Sequence, residues 1–81
     1  MVIKVLGPGC MNCKTLERRV LTAVQELSLD ASVEKVLDYE KIASYGILRT
    51  PGLVIDEKVV SSGTVPPVEE LKKLLAAHRG Q

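Results

Sequence analysis

Cys10 and Cys13 are the only cysteines in this 81-residue chain. They stand as Cys10-Met11-Asn12-Cys13, at the point where an apolar strand pattern gives way to a helical one. Gly7-Pro8-Gly9 just before them supplies a tight turn and nothing bulky. Cys10 is therefore expected at or beside a helix N-terminus, with Cys13 a turn inside. A thiolate so placed gains from the positive end of the helix dipole and from unpaired backbone N–H groups. Thiols there, and thiols in Cys-x-x-Cys pairs, ionise below the free value of about 8.5. The spacing lets the second sulfur reach the first. Two chemistries follow: closing a small disulfide, or gripping one soft metal ion.

The elements that must hold this pair can be read outward from it. Val2 to Leu6 is a short, β-branched apolar run broken only by Lys4, which suits a strand buried on both faces. From Met11 to about Leu27, apolar residues fall at Leu16, Val20, Ala23, Val24 and Leu27, and Cys13 heads the same stripe. Lys14, Glu17, Arg18, Gln25 and Glu26 take the other side, and Arg18 and Arg19 read as a solvated face. Ala31 to Val36 reads as a second strand. Asp38 is an N-cap for a short helix carrying Tyr39, Ile42, Ala43 and Tyr45, which Gly46 stops. Both tyrosines are expected to pack at the edge of the core.

Leu48-Arg49-Thr50-Pro51-Gly52 is the second informative stretch, because a proline just before a strand cannot donate a ladder hydrogen bond. Leu53-Val54-Ile55 and Val59-Val60 then read as two strands joined at Asp56-Glu57-Lys58. Ser61-Ser62-Gly63-Thr64 is expected to break the second of them. Pro66-Pro67 opens a last helix with Val68, Leu71, Leu74 and Leu75 on its buried stripe, and Arg79-Gly80 closes it. The order is β-α-β-α-β-β-α. The first pair of strands implies a parallel right-handed crossover and the last pair an antiparallel hairpin. The fold class is thus α/β, a four-stranded mixed sheet flanked by three helices, within one domain spanning residues 1–81.

Composition narrows the function. Hydrophobic residues make up 46% and charged residues 26%, the net charge is +1, and Phe and Trp are absent. A globular chain with a Val, Leu and Ile core is implied. The mixed charges suggest neither nucleic acid nor a membrane surface as partner. No apolar run approaches the roughly 20 residues that span a bilayer. Met1-Val2-Ile3 leads straight into a strand, so no signal peptide is expected. Two cysteines so spaced in a cytoplasmic chain point to redox work or metal binding, not to a disulfide scaffold.

These residues resemble a known family. A strand, a Cys-x-x-Cys opening a helix, a Thr-Pro before a hairpin and a closing helix are together similar to the thioredoxin fold in its minimal, glutaredoxin-like form. The likeness looks closest to the very small redox-active disulfide proteins of archaea and bacteria. It rests on Gly7-Pro8-Gly9-Cys10-Met11-Asn12-Cys13-Lys14 and on Thr50-Pro51-Gly52. It implies a thiol–disulfide oxidoreductase active in electron transport and cell redox homeostasis. Cys10 would be the nucleophile and Cys13 the resolving thiol. Pro51 would be a cis-proline, and Thr50, Pro51, Met11 and Asn12 would meet the substrate. The resemblance implies no bound cofactor beyond a Cys10–Cys13 redox-active disulfide. It implies a disulfide-bearing protein or small-thiol substrate, a thioredoxin-reductase-like flavoprotein or a small thiol as electron donor, and a cytoplasmic monomer.

Three features depart from the family pattern. Met11-Asn12 replaces the Gly-Pro of thioredoxin and the Pro-Tyr of glutaredoxin. Gly9 stands where thioredoxins carry Trp. Lys4 stands where they carry a buried acid, so proton handling needs another route; its stem is expected to pack while its charge reaches solvent. The paired glycines of the usual glutathione loop are represented only by Gly63. The rival reading is a Cu or Zn binding module or metallochaperone using the same two thiolates. Such heavy-metal-associated domains also begin strand, Gly-x-x-Cys-x-x-Cys, helix, but their second strand turns directly into a third. A closed zinc site usually takes four ligands, and His78 reads as a partner of the last helix's dipole.

Overall fold

The computed structural model describes residues 1–9 and 11–79. The elements run β1 (Val2–Leu6), α1 (Met11–Glu26), β2 (Ser32–Val36), α2 (Tyr39–Ser44), β3 (Gly52–Ile55), β4 (Lys58–Ser62) and α3 (Val68–Arg79). The strands form one mixed sheet in the order β2-β1-β3-β4. β1 pairs parallel with β2, from Val2 opposite Ser32 to Leu6 opposite Val36. It pairs antiparallel with β3, from Ile3 opposite Ile55 to Leu6 opposite Gly52. The sequence-derived order and the thioredoxin-like architecture are therefore what the chain adopts. The α2 helix between β2 and β3 separates it from the direct strand-to-strand connection of the rival metal-binding fold.

The period of two along β1 divides the core. Ile3 and Val5 face α1 and α3, where Leu16, Val20, Ala23, Leu53, Ile55, Leu71 and Leu75 complete a buried cluster. Leu6 faces the other way and packs with Val54 and Ile42 of α2. Lys4 lies on that second face. Its stem is packed as expected, but its charge is not simply solvated: Nζ meets the Glu57 carboxylate at 2.6 Å and the Tyr45 hydroxyl at 3.0 Å. That contact holds the amine across the sheet from α1 and Cys13.

Local chemistry sets the connections. The Asp38 side chain accepts from the Glu40 N–H at 2.9 Å and caps α2. Gly46, at φ +79°, ends it. The β3–β4 turn has two residues, Asp56 and Glu57, both with positive φ (49° and 69°), the geometry that matches the strands' twist. Val2 N–H donates to Asp56 Oδ1 at 2.8 Å, and Asp56 N–H donates to the Val2 carbonyl.

Four expectations need correction. Ser61 and Ser62 do not break β4; they pair with Leu53 and Gly52, and a register shift at Leu53/Val54 absorbs the extra residue. Pro66 and Pro67 precede α3, and the Pro67 carbonyl accepts its first hydrogen bond from Leu71 N–H. Tyr39 is exposed and only Tyr45 packs against the core. Arg19 is no solvated residue: its Nη1 donates to the carbonyls of Val65 and Pro66 at 3.0 and 3.3 Å, fixing the segment before α3. Cys10 and Gly80 lie outside the described residues.

Candidate active site at the head of helix α1

β1 delivers the chain to Gly7, whose N–H continues the ladder by donating to the Val36 carbonyl at 2.9 Å. Gly9, at φ +91°, makes the turn that an L side chain would resist. α1 begins at Met11 with no acid in its first turn, so nothing there opposes the helix dipole's preference for an anion. Met11 and Asn12 face solvent, while Cys13 is buried, only 5% exposed. This is the division its place on the apolar stripe implied.

Gly7 is where the predicted residues meet. A β-carbon on it would overlap Cys13 Sγ, would lie 3.1 Å from Cys13 Cβ, and would come within 3.9 Å of Thr50 Cβ. Cys13 and Thr50, 37 positions apart in the sequence, thus flank one backbone position. The Thr50–Pro51 peptide is cis, as the family resemblance implied. Pro51 is buried, and its carbonyl accepts from Gly63 N–H at 2.9 Å. A β-carbon on Gly52 would lie 2.6 Å from Ile47 Cδ1, so the chain beyond Pro51 is closely packed as well.

On the other side of Gly7, toward β2, a groove of about 110 Å³ reaches Cys13. Its walls include Lys14 and Glu17 of α1, Lys35 of β2 and Leu37 just beyond it. Glu17 Oε2 and Lys35 Nζ are 3.5 Å apart. Sequence reasoning put Glu17 on the solvated side of α1 and missed this pair. The four-residue step from Cys13 to Glu17 was the available signal; Lys35 gave none. Among the described residues, no three His, Cys, Asp or Glu side chains are grouped to hold a metal ion. His78 lies beside a pocket with Met1, Asp30 and Asp56.

The arrangement defines a class. A buried thiol position near the start of a helix, beside a cis-proline turn across the end of a central strand, is the layout of the thioredoxin fold. The family model described as thioredoxin domain matches residues 1–76. The chain is 40% identical over 76 residues to a protein named thioredoxin from Methanothermobacter thermautotrophicus, covering 94% of this chain and 99% of that one. It is 38% identical over 78 residues to a protein named thioredoxin from Methanocaldococcus jannaschii, covering 96% and 90%. The chain belongs to the thioredoxin domain family, and it is a thiol–disulfide oxidoreductase.

Proposed function

We propose that Cys10 and Cys13 form the redox centre, with Cys10 as nucleophile and Cys13 as resolving thiol. Cys10 thiolate attacks a substrate disulfide, one substrate sulfur leaves as thiol, and the other stays joined to Cys10. Cys13 then displaces it, leaving a Cys10–Cys13 disulfide and a substrate that has gained two electrons. A thioredoxin-reductase-like flavoprotein or a small thiol restores the pair, and no bound cofactor takes part. The observation that carries this reading is the burial of Cys13 behind Gly7, while the chain around Met11 and Asn12 is exposed at the helix head. A resolving thiol belongs inside and an attacking one outside.

The substrate is a protein disulfide in an extended segment that runs past Thr50, Pro51, Met11 and Asn12. An apolar rim supports this. Met11 is 79% and Leu48 99% exposed, and Leu37 and Tyr39 are exposed too. All four follow the C-terminal ends of the parallel strands β1 and β2 or precede the start of antiparallel β3, so they gather at one end of the molecule. Exposed apolar side chains grouped in this way mark docking surfaces. We place the protein in the cytoplasm. Its cysteine usage supports this, and among the described residues no helix is long and apolar enough to cross a membrane.

Cys10→Ser should abolish disulfide exchange. Cys13→Ser should leave a covalent mixed disulfide that mass spectrometry detects and a reductant reverses. Exchange that survives Cys10→Ser would exclude the assigned nucleophile.

A further inference from the structure

Cys13 is nearly sealed from solvent, so the proton it carries in the mixed disulfide, and must lose before attacking, has few ways out. Lys4, at the sequence position where the family's buried acid would stand, lies on the other face of the sheet and is held by Glu57 and Tyr45. The groove beside Cys13 offers a different route. Three charged groups face it: Lys14 and Glu17 from α1, and Lys35 from β2. β1 and the turn after it contribute only Val5, Gly7 and Gly9, and Thr50, across Gly7, carries a hydroxyl. Glu17 is thus the single carboxylate among them. It follows Cys13 by four residues, which on a helix leaves about 5–6 Å between β-carbons on one face. Both side chains line the groove, so a water held there can lie between them. At about 110 Å³ the groove has room for it, since a water occupies about 30 Å³ in the liquid.

We propose that Glu17 accepts the Cys13 proton through water in the step that resolves the mixed disulfide, and that Lys35 positions the carboxylate over the groove. The proposal rests on the assignment of Cys13 as resolving thiol. The proton passes from Cys13 Sγ to the water and from the water to Glu17. The Cys13 thiolate attacks Cys10 Sγ. As the Cys10–Cys13 bond forms, the Cys10–substrate bond breaks, and its electron pair leaves on the substrate sulfur. That sulfur is protonated from solvent, to which Glu17 returns its proton. One thiol and one disulfide are consumed and one of each is produced.

The test uses the reduced full chain and an aromatic disulfide whose released thiolate is coloured, followed by stopped flow across a range of pH. The first release reports attack by Cys10 and the second reports resolution by Cys13. Glu17→Gln keeps the side chain's shape. It should slow the second release below neutral pH by about ten- to a hundredfold, up to the low end of what a positioned base supplies. The rate should then rise with pH toward the ordinary thiol range of about 8.5. Glu17→Asp should recover part of the rate. Equal second-release rates in Glu17→Gln and the unaltered protein at every pH would overturn the proposal. A first release that survives Cys10→Ser would instead overturn the assignment of the nucleophile, and the two failures are read from different phases.

Discussion

At the scale of single residues, Gly7 matters through what it lacks. The space where a side chain would begin is filled by the Cys13 sulfur, and Thr50 closes the other side. Gly7→Ala should therefore cost stability, about 1–3 kcal/mol as overpacking usually does. It should also speed alkylation of Cys13 in the reduced protein by pushing that side chain outward. Urea unfolding and mass-spectrometric mapping read the two effects separately, and unchanged values in both would show that the neighbours yield freely. The burial of Cys13 was legible from its place on the apolar stripe, and the cis bond before Pro51 from the family resemblance. Gly7's role was not, because a close approach between distant segments leaves no trace in either one. The same holds for Tyr45 and Tyr39, two aromatics in one short amphipathic segment. Only Tyr45 has Lys4 within hydrogen-bond reach, 41 positions away, and Tyr39 is left to solvent.

At the scale of elements, α1 was legible because its apolar stripe repeats at helical spacing, and β1 because its run is short and β-branched. The end of β4 was not. Ser61 and Ser62 read as breakers, yet an edge strand with little to bury accepts polar residues while its backbone still pairs with β3. The β3–β4 turn carries its own consequence for pH. Hydrogen bonding from Lys4 holds the Glu57 carboxyl below its ordinary 4.5, and Glu57 together with Tyr45 raises the Lys4 amine above its usual 10.5. A carboxyl depressed in the folded state binds fewer protons than in the unfolded chain. Its contribution to stability is therefore present above pH 4.5 and is lost as pH falls through the lower folded value. Glu57→Gln should make that acid limb shallower and weaken its response to added salt. Denaturant midpoints measured at a series of acidic pH values would show it, and an unaltered limb would mean that Lys4 and Glu57 do not pair in solution.

At the scale of the whole molecule, the parallel crossover and the antiparallel hairpin bring the thiol end of α1, the loop after β2 and the loop before β3 to one end. Cys13 and the exposed apolar side chains share that end, so the proposed chemistry and docking separate by residue. Leu48 is almost fully exposed and touches little. Leu48→Ser should leave the melting temperature within about 2 °C, as surface changes usually do. It should lower the rate with a protein disulfide several-fold and leave the rate with a small aromatic disulfide unchanged. Equal losses on both substrates would place Leu48 in the chemistry and not in docking. This grouping was not legible beforehand, because Met11, Leu37, Tyr39 and Leu48 belong to three stretches that only the sheet order gathers.

That sheet order also governs how the chain is born. β1 occupies the centre, but its antiparallel neighbour β3 lies about fifty positions downstream. A ribosome adds roughly 5–20 residues per second, so Gly7 and Cys13 emerge seconds before Thr50, which flanks Gly7 from the other side, exists to meet them. During that interval the nascent chain holds two thiols without the architecture that governs them. A site whose parts lie this far apart along the chain is thus begun early in synthesis and completed late.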